Sequence, residues 1–423
     1  MNDEWADRTG VYSSFITHHS SLNMLPYLTT VKPVRRIRYF IFLKDVLVLS
    51  VTTFGGPQVH LAMMFDRFVR KRRYLTEAEL MELTALCQVL PGPTSTQTIT
   101  ALGFKIGGPN LAYLTLLIWV LPAVSIMTAA AIGIQYLQAH HLSLRFTRFI
   151  QPMAVGFLIT AGYRIGRMVI KNRISLALAL LAAATAYVFR SPIMTPIVIA
   201  VGGLTTALTY QKQERMAKKP LQVQWANFVL WLGVLLAAAG LGAVTQSLPV
   251  RLFENFYRNG SLVFGGGQVL TPMLYNEFVA FKHYLSREEF LSGLGLVQAV
   301  PGPVFAFASY IGALSMRGAG AHGQLWGSFV STAGIFLPGT FLIFFVYRFW
   351  EQLKRYRVVR ASLEGINAAS TGLTAAAAIA LFEPMAPHWP SVAVVLVTIG
   401  LLLYTRIPPY VLILLGLVAG IVL

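Results

Sequence analysis

Three hydroxyl-bearing residues, Thr94, Ser95 and Thr96, stand directly behind a Pro91-Gly92-Pro93 tripeptide and ahead of Gln97. Proline removes a backbone donor and clashes with the preceding turn, while glycine tolerates angles that other residues avoid. The tripeptide therefore breaks a helix, and a new one starts at Thr94. The first turn of a helix has N–H groups without an intrahelical partner and carries partial positive charge. Hydroxyls on that turn either cap their own helix or are lent to a ligand oxygen. Amides and hydroxyls gathered at a helix start suit an oxyanion. The chemistry on offer is binding.

The same words occur twice. Phe54-Gly55-Gly56-Pro57-Gln58-Val59 returns as Phe264-Gly265-Gly266-Gly267-Gln268-Val269, and Tyr74-Leu75-Thr76 returns as Tyr284-Leu285-Ser286. Gln88-Val89-Leu90-Pro91-Gly92-Pro93 returns as Gln298-Ala299-Val300-Pro301-Gly302-Pro303. Each pair is separated by 210 residues (264 minus 54, 284 minus 74, 298 minus 88), and one constant spacing identifies an internal repeat. Each half thus carries two helix-breaking words, and paired broken helices in corresponding positions point to a transporter's binding site. Gly55, Gly56 and Gly92, with Gly265, Gly266 and Gly302, are the candidate glycines of that site. Gln58, Gln268, Gln88 and Gln298 flank the breaks symmetrically. An amide in an apolar run needs partners, so all four are candidates for the ligand or for contacts between repeats. In the second half Val304, Phe305, Ala306 and Phe307 stand where the first has its hydroxyls and Gln97. A polar side from the first repeat would face an apolar wall from the second.

Charges near the breaks are few. Lys44, Lys105 and Arg258 are the cations placed to balance an anion; the alternative is pairing with a local carboxylate, Asp45 with Lys44 or Lys105. Asp66 and Arg67, with the matching Asn276 and Glu277, read as interfacial. Thr76 and Glu79 form a capping-box signature. The eight histidines show no metal spacing and no catalytic arrangement, so no catalytic residue, metal or cofactor is expected. His60, just after the glycine break, is the one histidine placed to carry a proton. The single Cys87 excludes an intramolecular disulfide framework.

The elements that position these residues lie in a membrane. The chain is 56% hydrophobic and 12% charged, with mean hydropathy +0.63, far from a soluble domain. Its net charge of +18 fits basic loops facing an anionic leaflet. The basic residues sit in short pieces between apolar segments, which argues against nucleic acid as a partner. No cleavable signal peptide is read in the first thirty residues, which lack an apolar core.

Residues 1–38 read as a polar head, 39–210 as a first membrane repeat, and 211–222 as a basic cytoplasmic linker. Residues 223–423 read as an unpaired helix followed by a second membrane repeat. In the first repeat, 39–65 and 83–106 are interrupted centrally, and spans follow at 111–137, 149–170, 174–189 and 193–209. In the second, the interrupted pair is 252–281 and 290–316, and spans follow at 325–346, 366–382, 392–403 and 410–423. The segment 226–244 has no counterpart, and one unpaired crossing reverses the second repeat relative to the first. The fold expected is an all-α polytopic membrane protein of two inverted-topology repeats. Arg67, Arg70, Lys71, Arg72 and Arg73 form the densest basic cluster. Re-entrant hairpins turning at the breaks would keep that cluster inside, whereas simple crossings, about thirteen in all, would not.

The paired Phe-Gly-Gly words, the Tyr-Leu-Thr/Ser stretch with nearby glutamates, and Gln-x-x-Pro-Gly-Pro resemble the chromate ion transporter family in its long, two-repeat form. The resemblance covers nearly the whole chain from Tyr39. It implies an inner-membrane carrier, in bacteria, that exports chromate or sulfate-like oxyanions by alternating access, driven by the proton-motive force. A homodimer is left open. By motif position it carries over Phe54, Gly55, Gly56, Pro57, Gln88, Pro91, Gly92 and Pro93. The second-half counterparts are Phe264, Gly265, Gly266, Gln298, Pro301, Gly302 and Pro303. Members often have a basic residue six before the Phe-Gly-Gly phenylalanine. Arg258 fits, but the first half has Val48, and Lys44 one turn earlier is its candidate substitute. Members also tend to be acidic where this chain has Arg67, a feature kept at Glu277. An anion channel, or an exporter of carboxylates, is the alternative function.

Overall fold

A computed structural model describes residues 31–140, 148–189, 194–208, 223–350 and 356–422, apart from Gly55, Gly265, Gly266 and Arg406. Most of the expected polar head and all of the expected linker, 211–222, lie outside the described residues. Every regular element among the described residues is helical. The described part of one compact unit is Val31–Phe42, the leading part of the first helix, and Leu43–Leu423 belong to the other.

The first repeat begins with α1 (Val31–Thr52), then α2 (Pro57–Met64), which continues as a π-turn, Phe65–Lys71. After α3 (Glu77–Val89) come α4 (Thr94–Ala139), α5 (Ile150–Val169), α6 (Arg173–Phe189) and α7 (Met194–Ala207). The unpaired α8 (Ala226–Thr245) precedes α9 (Leu248–Leu262), α10 (Gly267–Tyr275) and a second π-turn, Asn276–Phe281. Then follow α11 (Arg287–Ala299), a 3-10 turn, Val304–Ala306, α12 (Phe307–Ser315) and α13 (Gly320–Val346). The chain closes with α14 (Arg357–Phe382), α15 (Trp389–Tyr404) and α16 (Pro409–Val422). Four helical stretches, Thr94–Gln138, Ala226–Thr245, Arg317–Val346 and Ala361–Phe382, are long and apolar enough to cross a bilayer.

The repeat extends to backbone detail. Arg73 and His283, 210 residues apart, are both left-handed, at φ 53 and 52. Gly92 and Gly302 lie at φ 123 and 103, angles that favour glycine and explain its place between two prolines. Helices α3 and α11 start with the same device. Thr76 and Ser286 each cap their helix, and Glu79 and Glu289 accept back from the cap N–H at 2.7 and 2.8 Å. Two otherwise unpaired donors are satisfied at each start.

The breaks turn the chain back on itself. Asp45 and Arg67 would stand about 33 Å apart along an uninterrupted helix. In the structure Arg67 Nε donates to Asp45 at 2.9 Å. Arg258 and Glu277, about 28 Å apart if straight, meet at 3.2 Å. Lys105 pairs with Glu79, and Arg317 with Glu289 at 2.5 Å. All four broken segments therefore fold back as helical hairpins. A further reversal divides α4 at Gly108, φ 78. The limb after it returns alongside the limb before it, so closely that a Cβ on Gly103 would meet Thr115 Oγ1 at 2.5 Å.

The halves then pack into each other. Helix α14 lies against α5, α6 and α7, and α13 lies against α4 and α9. Small residues allow these approaches: Gly202 on α7 and Gly365 on α14 leave no room for side chains between them.

Candidate anion site at the crossed breaks

The two Pro-Gly-Pro turns exchange bonds across the repeats. Gly92 N–H donates to Val263 O at 2.7 Å, at the end of α9, and Gly302 N–H donates to Thr53 O at 2.9 Å, at the end of α1. Thr53 and Val263 are themselves 210 residues apart. Each turn thus seats against the carbonyl two residues before the other repeat's glycine pair. This reciprocal pattern is the mark of a two-fold relation. Sequence reasoning brought the four breaks together and made Gly92 and Gly302 candidates for the ligand. Gly92 and Gly302 instead give their N–H groups to backbone.

Around the first turn the polar residues are buried. Ser95, Thr96 and Gln97 are 8%, 2% and 2% exposed, and Thr94 is half-buried. No side chain caps α4 at Pro93, so its first-turn amides have no partner within the helix. Ser95 Oγ shares a hydrogen bond of 2.9 Å with His60 Nδ1. Thr96 Oγ1 accepts from Trp119 Nε1 at 3.1 Å, and the His60 ring meets Trp119 edge to face at 5.4 Å. Gln97 Nε2 donates to Pro91 O at 2.7 Å, closing the turn. Thr53 Oγ1, His60 Nε2, Gln97 Oε1 and Thr100 Oγ1 are buried without a hydrogen-bond partner. Buried polar atoms left in this way call for an explanation, and a ligand is one.

On the second repeat's side, Phe305, Ala306 and Phe307 are buried and Val304 is half-buried. The 3-10 turn there also lacks a side-chain cap. The polar and apolar sides expected from sequence stand in those places.

The other candidates are distributed differently. Gly56 is the N-cap of α2, with φ 84 and no side-chain cap. Gln88 is exposed on α3 and Gln298 is half-buried on α11. Gly55, Gly265 and Gly266, and the side chains of Gln58 and Gln268, lie outside the described residues.

The three cations are engaged or exposed rather than held at the breaks. Lys44 is exposed. Lys105 pairs with Glu79, and Arg258 with Glu254 at 2.9 Å and Glu277 at 3.2 Å. The Lys105 ammonium, together with the Thr76 N–H, holds the Glu79 carboxyl below its usual range. Asp45 pairs with neither Lys44 nor Lys105; Arg67 and Arg72 hold it, the latter at 2.6 Å. Its carboxylate is fully buried. This corrects the suggestion that Lys44 substitutes for the missing base at Val48. The first repeat reverses the pair, with the acid on α1 and the base on the π-turn. The second has the base, Arg258, on α9 and the acid, Glu277, on the π-turn.

Trp119 was not found from sequence, because only the reversal at Gly108 brings it back to Thr96. His60 carried a signal in its place one turn beyond Gly56, yet its partner Ser95 is in another hairpin.

The sequence pattern of the family described as Chromate transporter matches residues 41–207 and 250–421, the two repeats without α8. The chain is 26% identical to the chromate transport protein of Pseudomonas aeruginosa over 357 residues, covering 82% of each. It is 26% identical to the chromate transport protein of Cupriavidus metallidurans, covering 84% of this chain and 85% of that one. It is 24% identical to a probable chromate transport protein of Synechococcus elongatus, covering 89% of this chain and 93% of that one. No solved structure matches the chain.

Proposed function

The chain belongs to the chromate transporter family, and we propose that it is a secondary transporter exporting chromate, or a sulfate-like oxyanion, by alternating access across the bacterial inner membrane. Its relatives are named as transport proteins, not as enzymes. The anion sits at the start of α4, held by the first-turn amides and by Thr94, Ser95 and Thr96. The reciprocal seating of the two Pro-Gly-Pro turns carries this reading. It brings four helical hairpins to one place and leaves the only hydroxyl-rich helix start among them at their junction.

The inverted repeat supports alternating access. One unpaired helix, α8, makes the second repeat the inverse of the first, so each opening toward one face has a counterpart toward the other. Export draws on the electrical part of the proton-motive force. The anion crosses toward the positive side, and a doubly negative guest gains about 4.6 kcal/mol per 100 mV in that direction.

Flux into proteoliposomes, comparing chromate, sulfate and a carboxylate with and without a pH gradient, tests the function. Saturation and counterflow are expected; linear flux without counterflow would indicate a channel. Thr94→Ala combined with Ser95→Ala tests the site. Loss of two hydroxyl donors to a dianion should raise the half-saturating chromate concentration at least about tenfold, with membrane insertion retained. Unchanged uptake would remove these residues from the site.

A further inference from the structure

We propose that His60 takes up a proton together with the oxyanion, and that the Ser95 hydroxyl links the two events. The inference rests on the reading that the first turn of α4 holds the anion. His60 lies on α2, whose N–H at that residue bonds back to Gly56 O at 3.1 Å, so the imidazole is one turn from the glycine break. It is 1% exposed. Its Nδ1 meets Ser95 Oγ, its ring lies against Trp119, and Trp119 in turn donates to Thr96. Its Nε2 is buried with no partner. Two hairpins of the first repeat therefore meet through one imidazole and one hydroxyl, beside a helix start that no side chain caps.

The hydroxyl has a single proton to give. With a neutral imidazole whose Nδ1 is bare, Ser95 donates to His60 and presents only lone pairs to its other neighbours. A lone pair facing a dianion is unfavourable. When His60 gains a proton at Nδ1, the direction of that bond reverses. Nδ1–H donates to Ser95 Oγ, and the Ser95 O–H is released to turn toward the anion. An imidazole enclosed by protein stays neutral until a negative charge joins it. The dianion thus favours the proton, and the proton supplies the dianion with one more donor and a compensating charge. The coupling is reciprocal. The proton comes from the aqueous side to which the site is open and leaves with the anion on the other, so the exported pair carries one net negative charge and the membrane potential drives it with half the force acting on the bare dianion.

The charged groups on the elements packed most closely against α2 are accounted for elsewhere. On the π-turn Asp66 pairs with Lys71, Arg67 with Asp45, and Arg70 lies over the Phe65 ring. On α4 Lys105 pairs with Glu79. His60 is the titratable group that touches Ser95.

Chromate affinity of the purified full-length protein, measured from about pH 6 to about pH 8 across the range in which histidine titrates, tests the proposal. His60→Asn and His60→Gln keep a polar atom for Ser95 but cannot titrate. Chromate's own protonation is common to all three proteins, so a difference in slope belongs to the protein. Wild type should lose affinity with rising pH more steeply than either variant, the difference approaching about tenfold per pH unit, the limit for one linked proton. Equal slopes would overturn the role of His60. In case neither variant folds, wild type alone decides. On binding chromate in weak buffer at about pH 8, where the anion is the dianion, it should take up about one proton per anion. Binding without uptake sinks the proposal and leaves the anion site standing. Wild type that binds no chromate sinks the functional reading itself.

Discussion

Replacing Gly92 by alanine puts the central turn under a calculable load. The residue sits at φ 123, where a side chain costs about 1–3 kcal/mol in backbone strain. The new Cβ would lie 2.7 Å from Gln97 Nε2 and 3.2 Å from Gln97 Cδ. That same nitrogen closes the turn by donating to Pro91 O, so the amide must move and its bond weakens, adding about 0.5–1.5 kcal/mol. The sum is about 1.5–4.5 kcal/mol. Gly108→Ala is the matched control. It too has positive φ, 78, but a Cβ there meets nothing within 4 Å, so only strain of about 1–2 kcal/mol applies. Unfolding in detergent is expected to be irreversible, so apparent melting temperatures should be compared at one scan rate. At roughly 2 °C per kcal/mol for a chain of this size, Gly92→Ala should melt about 3–9 °C below wild type and Gly108→Ala about 2–4 °C below. Adding Gln97→Ala to Gly92→Ala should cost less than the two separate losses, because the clash is removed. Equal melting of the two glycine variants, or strict additivity of the double variant, would show that Gln97 does not buttress the turn.

Asp45→Asn removes a buried carboxylate shared by two guanidiniums. These are 28% and 41% exposed, so water screens part of the loss, and about 1–3 kcal/mol is expected in the same melting assay. Joining Asp45→Arg to Arg67→Asp copies the polarity of the second repeat and should melt above either single reversal. Acid should loosen the Glu79–Lys105 tie. The folded-state pKa of Glu79 is depressed, chiefly by Lys105, so its contribution is present above the ordinary carboxylate pKa and disappears as pH falls through the lower folded value. Glu79→Gln should flatten the stability profile in that acidic range, measured as apparent melting temperature against pH. An unchanged profile would show that Lys105 does not act on this carboxyl.

Much of the architecture was legible because an internal repeat offers two readings of one design. The spacing of 210 residues located the breaks, the capping boxes and the unpaired helix, and basic residues favoured hairpins over simple crossings. The resemblance added the family. Less was legible at the site, for reasons of reach. A sequence shows that Lys105 and Arg258 are near breaks, but not that Glu79 and Glu277 arrive from other segments to meet them. It shows a helix break at Gly92 and at Gly302, but not the carbonyls of Thr53 and Val263 that fold across to accept their N–H groups. The contact of Trp119 with Thr96 depends on the reversal at Gly108, which reads in sequence as an ordinary interruption, Gly107-Gly108-Pro109.

The ion pairs beside the hairpins separate what the repeats share from what they do not. Asp45 with Arg67 and Arg72 in the first half corresponds in place to Asn255 with Glu277 and Lys282 in the second. The acid has changed sides, and Arg258 supplies the base one turn from Asn255. Both arrangements tie the first helix of a repeat to its π-turn with a carboxylate that is almost wholly buried. Because the tie survives reversal of its polarity, its task is geometric: it holds the hairpin closed so that the break is presented inward. A charge needed for the anion would not tolerate such a reversal. The breaks behave in the opposite way. Their backbone geometry is shared, down to the reciprocal bonds of Gly92 and Gly302, while the side chains that follow differ, hydroxyls in one and Val304, Phe305 and Ala306 in the other. Scaffold is therefore what the repeats have in common, and the chemistry of recognition is what sets the first apart. Variants of Thr94, Ser95 and His60 should accordingly change which anion is bound and how, whereas variants of Asp45 and Glu277 should change how much folded protein there is to bind it.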